Sequence, residues 1–103
     1  GFGTLLGAIR HKGYILDESS YCLHYGEKSV ELRAKEFKLL ELLLINKGQV
    51  LPRELLLDRI WGLETDVTDN NLDVHIRMLR KKISTLNDEE LISTVRGVGY
   101  SVK

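Results

Sequence analysis

Hydrophobic and polar positions change their spacing several times along this chain, and each change marks a new element. At the start, Phe2, Leu5, Leu6 and Ile9 recur at helical spacing ahead of Gly13, which predicts a short amphipathic helix over residues 1–12, or the tail of one belonging to something upstream. Three short β-type runs follow, Tyr14–Leu16, Tyr21–Tyr25 and Ser29–Leu32, separated by DESS and GEK, which read as turns. A small antiparallel meander is expected there. From Lys35 the period becomes helical again, with Phe37, Leu40, Leu43 and Leu44 on one side and a stop at Gly48. QVL, residues 49–51, is a brief extended piece. Pro52 suits the first turn of a second helix, whose apolar positions Leu55, Leu56, Ile60 and Trp61 end at Gly62. A loop leads to Thr68 or Asp69, either of which can cap a third helix running to about Ser84. Strands near Leu91–Val95 and Gly99–Val102 complete the order.

The third helix carries the most information. Counting about 100° per residue, Leu72, Ile76, Leu79 and Ile83 fall in one narrow stripe, the expected buried face. The opposite side presents Asn70, Val74, Arg77, Met78 and Lys81, with His75, Arg80 and Lys82 on the flanks. HIRMLRKK, residues 75–82, holds four Lys/Arg and no acid, so these cations are expected to lack neutralising partners along the helix. Amide and guanidinium groups address base edges, while outward apolar groups such as Val74 and Met78 touch thymine methyls. A solvated charged face is the alternative. The segment TVRGVGYSV, residues 94–102, reads as a hairpin whose glycines permit a tight reversal and a close backbone approach. An arginine at such a tip, Arg96, can enter a minor groove.

Composition narrows the class. A chain of 103 residues, 43% hydrophobic and 29% charged, is expected to be a single globular domain. The longest apolar run, Leu42–Ile45, is far too short to span a bilayer, and no secretory signal is evident at the start. One cysteine, Cys22, cannot form an internal disulfide, so a reducing compartment, the cytoplasm, is expected. Fifteen basic and fifteen acidic residues sum to zero, which by itself favours no polyanionic partner. The distribution is uneven, because GLETDVTD, residues 62–69, holds three acids and no base. His11, His24 and His75 are scattered, without Cys or carboxylate at metal-ligand spacing, and no nucleophile motif is present. Neither catalysis nor a metal or other cofactor is expected.

EFKLL at 36–40, RELLLDRIWG at 53–62, NNLDVHIRMLRKKI at 70–83 and STVRGVGY at 93–100 resemble the winged-helix DNA-binding domain of OmpR/PhoB-type response regulators. These four motifs, in order, cover roughly residues 14–103. The resemblance implies an α+β winged helix-turn-helix with an N-terminal antiparallel β-sheet, a three-helix core and a C-terminal β-hairpin wing. Residues 1–13 resemble the tail of an upstream receiver-domain helix with its linker, and 14–103 the DNA-binding domain. Helix 69–84 is then the recognition helix. Asn70, His75, Arg77 and Arg80 stand where the family makes phosphate or groove contacts, and Val74 where it touches base methyls. Asn71 and Lys81 complete the DNA-facing helix set. Trp61 matches a position packed under the helices while meeting a phosphate, and Thr94 and Arg96 match wing positions at the DNA. Glu64 and Asp66 lie in a loop that faces RNA polymerase in similar proteins. The implied partners are double-stranded DNA with tandem half-sites, a second copy of the domain on DNA, RNA polymerase, and an upstream receiver phosphorylated by a sensor histidine kinase. No membrane partner is implied.

The sequence also departs from that family. Arg33-Ala34 replaces a common Thr-Pro before the first helix, Pro52 replaces a common capping Ser, and Met78 replaces a base-reading Arg or Lys. The first two are expected to affect stability, and Met78 the base that is read. A winged helix acting mainly as a protein-interaction module is the second functional reading, and the zero net charge is its best support.

Overall fold

A computed structural model describes residues 8–62, 69–88 and 90–102. Four short strands come first: β1 (Ala8–His11), β2 (Tyr14–Asp17), β3 (Cys22–Tyr25) and β4 (Lys28–Glu31), paired in sequence order as an antiparallel meander. Ala8–His11 is therefore strand where helical spacing had predicted helix, and the sheet begins ahead of Tyr14. The reason is local. Lys12 and Gly13 both have positive φ, 49° and 87°, so His11 pairs directly with Tyr14 across a two-residue reversal matched to strand twist. Ile9 then packs against the core as a strand residue does. The DESS turn is tied by Asp17, whose carboxylate accepts hydrogen bonds from the Ser19 amide at 3.0 Å and the Ser20 hydroxyl at 3.0 Å.

Helices α1 (Ala34–Ile45), α2 (Arg53–Trp61) and α3 (Asp69–Ser84) follow, and the remaining strands are β5 (Val50–Pro52), β6 (Ile92–Val95) and β7 (Gly99–Val102). Leu39, Leu40, Leu43, Leu56, Leu72, Ile76, Leu79, Ile92 and Val102 meet in one core. Tyr21 stacks on Phe37 with ring centroids 4.7 Å apart, seating the first sheet on α1. Pro52 is the residue before α2, at its N-cap, and not inside the first turn. The extended piece at 50–52 is a full partner in the second sheet, which runs β5-β7-β6, so the wing is a three-stranded sheet and not an isolated hairpin. Gly99 is required at that junction, because a Cβ there would overlap the Leu51 carbonyl.

The start of α1 shows how the unusual cap works. Arg33 has no side-chain acceptor, yet its backbone N–H donates to Glu36 Oε1 at 2.9 Å. Glu36 is only 2% exposed, and the same oxygen takes Lys82 Nζ at 2.6 Å. Glu36 thus caps one helix and holds the last turn of another. A carboxylate at a helix N-terminus and an ammonium at a helix C-terminus each complement the helix dipole.

Candidate nucleic-acid interface

Burial of Leu72, Ile76, Leu79 and Ile83, each 3% exposed or less, fixes the rotation of α3 about its axis. The opposite face is then outward. Val74 is 51% and Met78 41% exposed, and Arg77 and Lys81 are exposed between and beyond them. Met78 stands on the open face of the helix. Asn71 and His75 are half-buried on one flank. The side chain of Asn70, and residues 63–68 with Glu64 and Asp66, lie outside the described residues.

His75 is held by its neighbours. Its Nδ1 lies 2.7 Å from the Asn71 carbonyl, which can only accept, so Nδ1 carries the proton and Nε2 remains for another partner. The ring meets the Trp61 indole edge-on at 5.0 Å, and Lys35 Nζ lies 5.1 Å from the indole centroid. Trp61 itself is 7% exposed, a packed support beneath α3.

The cations of α3 divide into two kinds. Lys82 is spent on Glu36, as described. Arg80 turns toward the wing, donating from Nε and Nη2 to the Ile92 carbonyl at 3.3 and 3.1 Å, and from Nη2 to the Thr94 hydroxyl. Glu90 lies 3.6 Å away, and the Tyr100 ring 5.9 Å. These contacts employ Nε and Nη2 and make Arg80 a link between α3 and β6. Arg77 and Lys81 point outward. The expectation that the basic run lacks an acidic partner needs correction: Asp73 sits four residues before Arg77 and senses its charge.

That aspartate belongs to a cluster the sequence reading missed. Arg53 Nη1 donates to Asp73 Oδ1 at 2.8 Å and to the Tyr100 hydroxyl at 3.1 Å, while Tyr100 donates to the same Asp73 oxygen at 2.6 Å. One residue each from α2, α3 and β7 is thereby joined. Arg53 first, and Tyr100 second, hold the Asp73 carboxyl below the usual carboxylate range. The same hydrogen bond to Asp73 raises the Arg53 pKa further. Burial, followed by the Asp73 contact, pushes the Tyr100 phenol up. An acid amid the basic residues of the helix was the available signal, but its partner lies 20 residues away.

The wing completes the surface. Arg96 is exposed beside Gly97, whose φ of +76° suits a residue without Cβ, and Thr94 is exposed on β6. The DNA-facing candidates from helix and wing therefore lie on two elements joined by Arg80 and by the Arg53–Asp73–Tyr100 cluster. Among the described residues no cluster of metal-ligating side chains occurs, and no helix is long and apolar enough to cross a membrane.

Comparison with known proteins bears on this surface. The family described as "Transcriptional regulatory protein, C terminal" matches residues 26–102. The response regulator ArlR of Staphylococcus epidermidis is 40% identical over 91 residues, which cover 88% of this chain and 42% of ArlR. The chain thus spans less than half the length of that relative. DrrB of Thermotoga maritima, an OmpR/PhoB homologue, superimposes with a TM-score of 0.79 at 32% identity, over 94% of this chain and 44% of DrrB. The DNA-binding domain of Klebsiella pneumoniae RstA, solved in complex with the RstA box, gives a TM-score of 0.77 at 31% identity, over 92% and 95% of the two chains. With its meander, three helices and winged hairpin, this chain belongs to the C-terminal, DNA-binding family of OmpR/PhoB-type transcriptional response regulators, whose members regulate transcription and are not enzymes.

Proposed function

We propose that this domain binds double-stranded DNA sequence-specifically, with α3 in a major groove and the wing in the adjacent minor groove. The observation that carries this reading is the outward stripe of α3, where Val74, Arg77, Met78 and Lys81 stand exposed while the opposite stripe is wholly buried. Guanidinium and ammonium groups supply phosphate and base-edge donors, and Val74 and Met78 supply surfaces for thymine methyls. Asn70, Asn71 and His75 serve the edge of the same contact, with Trp61 supporting His75. Arg80 contributes by holding Thr94 at the helix, and its Nη1 group is the part suited to a phosphate. Arg96 enters the minor groove, where negative potential is concentrated.

A domain of this size covers few base pairs, so two copies binding tandem half-sites about one helical turn apart fit the expected affinity best. The acids Glu64 and Asp66 repel phosphate and suit a basic surface of RNA polymerase. An upstream receiver domain, phosphorylated by a sensor histidine kinase, would control the pairing. Cytoplasmic location accords with all of these partners.

Selecting bound duplexes from a random pool and titrating the winner against salt tests the proposal. Enrichment of one motif, with log affinity falling linearly in log salt, is expected. Absence of any duplex binding at low salt would favour a protein-interaction module instead.

A further inference from the structure

Three residues, Arg96, Gly97 and Val98, connect β6 to β7, because Val95 pairs directly with Gly99. Gly97 has no side chain, so the wing tip presents only two: a guanidinium and a β-branched aliphatic group. Val98 is 46% exposed, and its neighbourhood is built to keep it so. Its N–H donates to the Val95 carbonyl at 3.1 Å, closing the turn. Its own carbonyl accepts from the Arg53 N–H at 3.2 Å, at the first residue of α2. The Arg53 side chain then reaches Asp73 of α3 and Tyr100 of β7. Main chain and side chain of one arginine therefore fix the attitude of Val98 relative to the recognition helix.

We infer that Val98 is a specificity-determining residue of the wing, selecting A·T pairs by excluding the N2 amino group of guanine from the minor-groove floor. The inference rests on the wing lying in the minor groove, as proposed above. In that groove A·T and T·A pairs present only the acceptors N3 and O2, whereas a G·C pair adds the N2 donor. Arg96 offers donors alone, so it complements the acceptors and has nothing for an amino group to donate to. Val98 fills the adjoining space with methyl groups, which likewise accept nothing. An N2 amino group beneath this tip is stripped of water without gaining a partner, and that loss is what discriminates. Because Gly97 leaves the tip narrow, the two side chains act on one or two base pairs only.

Guanine and inosine differ in the minor groove by the N2 amino group alone, which gives a direct test on the 103-residue chain. On the duplex selected from a random pool, the pair beneath the wing is replaced by A·T, G·C or I·C, and affinity is measured for the native chain, Val98→Ala and Arg96→Ala. A·T and I·C are expected to bind alike and about tenfold more tightly than G·C. Val98→Ala, at an exposed site, should fold normally and lose most of that difference. Equal binding of I·C and G·C overturns the inference, as does a Val98→Ala chain that keeps the full discrimination. Should Arg96→Ala leave both affinity and salt slope unchanged, the wing is off the DNA, and the underlying placement fails instead.

Discussion

The two ends of α3 are anchored by ion pairs of opposite character. Near its C-terminus, Lys82 meets a carboxylate that is 2% exposed and also caps α1. Nearer its start, Asp73 and Arg53 pair with side chains 44% and 30% exposed, in company with Tyr100 of the wing. A buried charge is costly to leave without its partner, whereas an exposed pair gives little net stability because water already serves both groups. The first anchor therefore sustains the fold, and the second sets geometry. It holds the wing at one angle to the helix, which matters only when both meet the same duplex.

Glu36→Ala should separate these roles most sharply. It removes the cap acceptor at Arg33 and leaves Lys82, itself partly reachable by water, without its partner, so stability should fall by about 2–4 kcal/mol. A shifted denaturant midpoint with DNA affinity kept below the transition is the expected result. Arg96→Ala lies at the other extreme. Stability should not change, while affinity for the selected site falls by about 2 kcal/mol and the salt slope by about one unit. Asp73→Asn falls between them, costing about 0.5 kcal/mol of stability but about 1 kcal/mol of specific binding as the wing loses its fixed angle. Its sign with pH is also set. A carboxyl held below its ordinary range stabilises the fold above the unfolded value and loses that contribution as pH falls through the folded value. The stability gap between native chain and Asp73→Asn should accordingly close below about pH 4, as followed by thermal unfolding. The smallest expected effect belongs to Met78→Arg. One added charge should raise general affinity by about 0.5 kcal/mol, and reselection should move one position from A·T towards G·C.

Much of this was legible in the chain because it rests on local periodicity. The stripe Leu72, Ile76, Leu79, Ile83 and the outward Val74 and Met78 follow from helical geometry alone, and the structure agrees on every one of them. Strand β1 was misread for the same reason. In the sequence Ile9 continues the helical spacing of Phe2, Leu5 and Leu6, which lie outside the described residues, and nothing local announces that Ala8–His11 will pair with β2. Pairings across sequence distance were the other blind spot. Glu36 reads as one more polar residue of an amphipathic helix until Lys82, 46 residues on, covers it. Arg80 likewise reads as a surface cation, and only the return of β6 and its Ile92 carbonyl show that much of its guanidinium faces inward. The roles of Arg53, Asp73 and Tyr100 arise only once three elements converge.

The central claim is that helix and wing occupy neighbouring grooves of one duplex at once. Methylation interference on the selected site tests it most directly, because guanine N7 lies in the major groove and adenine N3 in the minor groove. Interference at N7 positions under α3, flanked in the next groove by N3 positions that disappear with Arg96→Ala, is the predicted pattern. Interference confined to the major groove, or unchanged by Arg96→Ala, would contradict it.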